Sequence, residues 1–114
     1  MKLSVSTHQS EEDIRNEDIL IYLNGKIVPK NEAVVSVYDS GFMLGDGVWE
    51  GIRLHNSKLG FIEDHLNRLY SSAKGISLDI PYSKDNIIDE INKVLAKNKM
   101  NDNIHLRLVI SRGD

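Results

Sequence analysis

The sequence predicts an α+β domain, an antiparallel sheet with two helices on one of its faces. Three observations predict it. Asn24-Gly25 stands between two β-rich runs, the strongest short-range hairpin signal. Over 48–55 and again over 104–111, side chains alternate with the period of a half-buried strand. Between those stretches the apolar period lengthens, twice, to that of a helix.

The elements follow in order. Residues 1–17 are polar and carry Glu11-Glu12-Asp13, so an N-terminal extension is expected there, with a helical turn around 11–15. Residues 18–114 read as one domain. Ile19-Leu20-Ile21-Tyr22-Leu23 and Lys26-Ile27-Val28 form the hairpin strands, because a type I′ turn needs φ > 0 at both central residues. Pro29 ends the second strand or confines it to an edge. Ala33-Val34-Val35-Ser36-Val37 is apolar and β-branched, and reads as a short strand or an extended segment. Residues 41–47, with three glycines, read as a loop. In the strand over 48–55, Trp49, Gly51, Arg53 and His55 share one face; Val48, Glu50, Ile52 and Leu54 share the other.

Asn56-Ser57-Lys58 is a turn, and Leu59-Gly60-Phe61 a return strand. Ile62, Leu66, Leu69, Tyr70 and Ala73 then fall on one helix face. Glu63 and Asp64 in the first turn and Lys74 in the last suit the helix dipole, and Gly75 suits the left-handed position just past the end. Pro81 stops the short connection that follows. Ser83 caps a second helix whose buried stripe is Ile87, Ile88, Ile91, Val94 and Leu95, ending at Asn98 or Asn101. The last strand, 104–111, turns Ile104, Leu106, Leu108 and Ile110 inward, with His105, Arg107, Val109 and Ser111 opposite.

A length of 114 residues, 40% hydrophobic and 27% charged, is that of one ordinary domain. A net charge of −3 gives no nucleic-acid footprint. The lack of cysteine excludes disulfides, thiolate metal sites and a cysteine nucleophile, and fits a reducing compartment. Apolar runs are too short to span a membrane, and the start lacks the apolar core of a signal peptide, so a cytoplasmic protein is expected. The histidines at 8, 55, 65 and 105 lack metal-ligand spacing, so no metal site is expected. Gly45-Asp46-Gly47 is not a dinucleotide fingerprint.

Residues 41–53 hold four glycines and the chain's single tryptophan. A flat aromatic at Trp49, a gap at Gly51 and a cation at Arg53 could border a pocket for a planar anion. The same pattern is that of an ordinary strand with a polar outer face. Arg53 and Arg107, over one sheet face, suit carboxylates; as cross-strand ion pairs each would be worth only roughly 0.2–1 kcal/mol. His65 and Arg68 lie one helical turn apart, and the planar fork of an arginine suits a phosphate. On spacing alone the pair also reads as a solvated helix face, the commoner arrangement.

Three runs together resemble one family. They are Asp39-Ser40-Gly41 through Gly45-Asp46-Gly47-Val48-Trp49-Glu50-Gly51-Ile52-Arg53; His65-Leu66-Asn67-Arg68-Leu69-Tyr70-Ser71-Ser72-Ala73; and Leu106-Arg107-Leu108-Val109-Ile110-Ser111-Arg112-Gly113. Over about residues 19–114, in order and spacing, the chain resembles the N-terminal domain of the class IV aminotransferases, the fold type IV pyridoxal 5'-phosphate enzymes. That family includes D-amino-acid and branched-chain aminotransferases and aminodeoxychorismate lyase. The resemblance implies transamination between an amino acid and a 2-oxo acid, in a homodimer.

It also implies roles. Arg68 matches the arginine that binds the cofactor phosphate. Trp49 falls where the family places an aromatic beside the substrate, usually phenylalanine or tyrosine. Gly51 and Arg53 follow on the same face, and Arg107 matches a position that binds the substrate carboxylate in branched-chain enzymes. Leu44 stands where those enzymes carry a tyrosine, which removes a hydroxyl, while Gly45-Asp46-Gly47 looks more like the D-amino-acid enzymes. Leu44 and Trp49 are therefore expected to set substrate choice. The family's Schiff-base lysine lies in a second domain and would fall beyond residue 114. Lys58 and Lys74 read as turn and helix-end residues, so these residues alone are expected to be inactive. Two alternatives stay open: a lyase on the same fold acting on aminodeoxychorismate, and a stand-alone binding or interaction domain.

Overall fold

The computed structural model describes residues 13–114. The expected extension and its helical turn around 11–15 therefore lie partly outside the described residues. What is described of them is a short 3-10 turn, Ile14–Asn16, capped by Asp13, whose carboxylate accepts from the Arg15 backbone N–H at 2.9 Å. The chain divides into two compact units, Met1–Ala33 and Val34–Asp114.

The first unit holds the hairpin. Strands β1 (Leu20–Leu23) and β2 (Lys26–Pro29) pair antiparallel, from Leu20 opposite Pro29 to Leu23 opposite Lys26. Asn24 and Gly25 take φ values of 50° and 89°, the sign a type I′ turn demands. Pro29 closes the second strand as expected. The hairpin is a two-stranded sheet of its own rather than a part of the larger one.

No strand forms over 33–37, where the first unit ends and the second begins. Val34, Val35 and Val37 are exposed, and β-branched residues do not make a strand without a face to bury or a neighbour to pair with. The stretch expected as a loop contains a short helix, α1 (Ser40–Leu44). Asp39 caps its start by accepting from the Gly41 N–H at 2.8 Å, and Gly45 ends it with φ 67°. Gly41 is glycine for closeness rather than for flexibility: a Cβ there would lie 2.8 Å from the Cβ of Ser111.

Strand β3 (Gly47–His55) lies between β4 (Lys58–Leu59) and β5 (Ile104–Ser111), all antiparallel. The β3–β5 ladder runs from Gly47 opposite Ser111 to Leu54 opposite Ile104. The return strand is shorter than expected. It stops before Phe61, which turns left-handed at φ 52° and starts α2 (Ile62–Gly75). Helix α3 (Lys84–Lys97) begins where expected, with the Ser83 hydroxyl accepting from the Asn86 N–H.

The core forms where α2 and α3 meet the inner sheet face. Ile52, Leu66 and Leu69 are fully buried, surrounded by Val48, Leu54, Ala73, Ile87, Ile91 and Leu95. The fold class is thus the one expected, antiparallel sheets with helices over one face. Gly75 does not take the left-handed position. It stays helical, and Ser77 takes that role at φ 55°, with Ser77 N–H donating to Lys74 O and Leu78 N–H to Ala73 O. Helix α3 ends the same way through Lys99 at φ 55°.

Candidate functional site

The β3–β5 register assembles the outer face of the sheet. Trp49 stands opposite Val109, Gly51 opposite Arg107, and Arg53 opposite His105. Trp49 is 58% exposed because its side of β3 carries no helix. The Arg107 guanidinium lies over its indole, 4.7 Å from the ring centroid, a cation–π contact. The imidazole of His105 lies over Gly51; a Cβ there would meet its Cε1 at 3.1 Å and Nε2 at 3.2 Å. Arg53 reaches Asn103 Oδ1 through Nη2 at 3.4 Å. Cross-strand ion pairing of these arginines is not what forms, since His105 and Gly51 stand opposite them. The face holds two guanidinium groups, an imidazole and an indole, and none of the outward-facing positions from Trp49 to Arg53 or their partners on β5 is a carboxylate. Such a face can take the carboxylate of a small acid against an aromatic wall.

Leu44 closes α1 and is 79% exposed. Through Gly41 and Ser111, α1 packs at the end of the ladder, two residues along from Trp49 and Val109.

Arg68 is not on that face. It sits on α2, and both it and His65 reach Glu50, which points from β3 into the helix-covered side and is only 5% exposed. Arg68 Nε donates to Glu50 Oε2 at 2.9 Å, and Nη2 to Oε1 at 2.6 Å. His65 Nδ1 lies 2.7 Å from Oε1. The Arg68 guanidinium holds the Glu50 carboxyl below its ordinary range, against the opposing effect of burial and with help from His65. Glu50 in turn raises the pKa of Arg68. Two clusters therefore sit back to back across β3, Trp49 with Arg107 on one side and Glu50 with Arg68 on the other.

The period of β3 places Glu50 on the inner face but assigns it no role. The signal was available: one carboxylate in an otherwise apolar row of Val48, Ile52 and Leu54, where a charge must find a partner. Arg112 likewise takes its role only from the fold. Its Nε and Nη2 bind Asp46 Oδ2 and Oδ1 at 2.6 and 3.2 Å, and its Nη2 and Nη1 reach the carbonyls of Ile76 and Ser77 at 2.7 and 3.3 Å. It joins the turn before β3 to the end of α2.

Residues 47–114, the three-stranded sheet and both long helices, match the model of the amino-transferase class IV family. The chain belongs to the class IV aminotransferases. Among class IV relatives, a Methanocaldococcus jannaschii protein provisionally named a branched-chain-amino-acid aminotransferase is 45% identical over 93 residues, 82% of this chain and 32% of its own length. A D-alanine aminotransferase of Listeria innocua is 40% identical over 94 residues, again 82% of this chain and 32% of the relative. The branched-chain aminotransferase of Escherichia coli aligns with a TM-score of 0.79 and 28% identity, over 86% of this chain and 34% of that one. A second solved branched-chain amino acid aminotransferase, complexed with N-(5'-phosphopyridoxyl)-L-glutamate, aligns at 0.73 and 29%, over 82% and 32%. This class IV chain thus spans about a third of the length of the relatives it matches. No described helix is long and apolar enough to cross a membrane.

Proposed function

We propose that this chain is the N-terminal domain of a pyridoxal 5'-phosphate-dependent aminotransferase. In the whole enzyme an amino acid leaves as its 2-oxo acid, and a second 2-oxo acid takes up the amino group. The cofactor supplies a carbonyl for the amino group and a sink for the electrons of the Cα bond. This chain binds and orients. Arg68 fits the cofactor phosphate, because its side chain is 66% exposed while one edge is already anchored. Arg107 and Arg53 hold the substrate carboxylate. Trp49 walls the side-chain space, Gly51 leaves room beneath His105, and Leu44 borders the entry from α1. Lys58, in β4, and Lys74, in the last turn of α2, are ordinary surface residues; the resemblance to the family assigns the proton-moving lysine to a second domain outside these 114 residues. The whole enzyme works as a cytoplasmic homodimer.

The observation that carries this reading is the Arg107–Trp49 stack on an uncovered sheet face. Donor and acceptor in a transamination differ in everything but a carboxylate beside the reacting carbon. One site must hold both, and a guanidinium steadied by an aromatic ring beside an apolar wall can do so.

The test uses the full-length protein. Both enantiomers of alanine and the branched-chain L-amino acids are offered as donors with 2-oxoglutarate, and oxo-acid formation is followed. Amino transfer from at least one donor is expected. Arg107→Ala should raise KM for donor and acceptor alike, about tenfold or more, since a charge-assisted pair is lost in both half-reactions. Release of 4-aminobenzoate from aminodeoxychorismate, with no amino transfer to any oxo acid, would assign the lyase activity instead. Light scattering on the same sample reads the dimer.

A further inference from the structure

Glu50 is the one charged side chain buried among the described residues. Packing alone does not call for it. A buried carboxylate, even when paired, rarely makes a fold more stable than an apolar side chain of similar size would, and every other β3 residue on that face is Val, Ile or Leu. What the carboxylate does is hold Arg68. A guanidinium has two hydrogen-bonding edges. Glu50 occupies the one formed by Nε and Nη2. The edge formed by Nη1 and the second N–H of Nη2 is left to face outward on a side chain 66% exposed. An arginine on an open helix face would otherwise sample many rotamers and lose that freedom on binding.

His65 steadies the carboxylate. It lies one turn before Arg68 on the same face of α2. Its Nδ1 is 2.7 Å from Glu50 Oε1 and 3.5 Å from Arg68 Nη2. An ionised carboxylate can only accept, so Nδ1 carries the proton and donates it to Glu50. The longer contact to Arg68 then joins two donors and is no hydrogen bond.

We propose that Glu50, braced by His65, is a positioning residue. It grips the inner edge of Arg68 so that the outer edge is preset for a phosphate dianion. This rests on the reading of Arg68 as the cofactor-phosphate ligand. Two effects of Glu50 oppose each other. Its negative charge repels a dianion, and its grip orders the arginine. The proposal is that the grip outweighs the charge, which fixes the sign of the outcome.

The experiment uses the full-length apoenzyme and measures dissociation constants for pyridoxal 5'-phosphate and for pyridoxal, which lacks the phosphate, by fluorescence quenching. Glu50→Gln and Glu50→Leu should each weaken the phosphorylated ligand about tenfold and leave pyridoxal unchanged. Arg68→Ala should weaken it further, and Glu50→Gln added to Arg68→Ala should cost nothing more. If Glu50→Leu fails to fold, Glu50→Gln carries the test. Unchanged or tighter binding by Glu50→Gln, where Arg68→Ala weakens it, overturns the positioning role alone. Unchanged binding by Arg68→Ala overturns the phosphate reading and this inference with it.

Discussion

Glu50 concentrates the electrostatics of the domain in one side chain. Its folded pKa lies below the ordinary 4.5, held there first by Arg68. The stabilisation linked to that shift is fully present above about pH 4.5 and is lost as pH falls through the lower, folded value. Urea midpoints measured from pH 7 down to pH 3 should therefore fall more steeply for the parent than for Glu50→Gln, with the two converging in acid. Parallel curves would mean that Glu50 is not ionised in the fold. The role of this residue was not legible in the sequence, although its face was. Period two fixes which way a side chain points; which cation on a distant helix it meets is a matter of packing. For the same reason His65 and Arg68 read as a solvated flank, and the stack of Arg107 on Trp49 was legible only as two residues on one face.

Elements were legible where a period ran long enough. The hairpin, both long helices and the strands β3 and β5 follow from alternation, the Asn24-Gly25 turn and the Ser83 cap. Ends and short pieces were not. Helix α1 was hidden by Gly41, which sits in it because Ser111 presses against its backbone. The left-handed residues after α2 and α3 are Ser77 and Lys99, although Gly75 stood close by. Both ends close through paired carbonyl contacts set by the chain's path, and the side chain at that position is tolerated rather than chosen. Ser77→Gly and Lys99→Gly should each raise stability, by a few tenths to about 1 kcal/mol, as relief at a left-handed position outweighs the freer unfolded chain. Ser83→Ala should lower it by about 1 kcal/mol through loss of the cap. Thermal melts of the three variants check both signs.

At the scale of the whole second unit, Arg112 ties the turn entering β3 to the end of the helix that carries Arg68. Asp46 and Arg112 shift each other's pKa, the acid down and the base up, chiefly through their hydrogen bond. Arg112→Ala should lower Tm, and the gap from the parent should narrow at 1 M salt, where such a half-exposed pair is screened. A gap independent of salt would assign the effect to the two backbone carbonyls that Arg112 also binds.

Trp49 and Glu50 are neighbours in the chain, yet they serve opposite sides of the sheet. The frame of β3 is thus a code read two residues at a time, with one message on each side. A substitution alters a single letter of one message. Removal of one residue, Gly51 for example, shifts every later letter to the other side, burying Arg53 among the helices and turning Ile52 and Leu54 to the open face. Gene libraries that delete single codons across β3 should therefore yield no folded protein at positions where point changes are accepted. Variation in this family at this strand should be confined to what leaves its length unchanged.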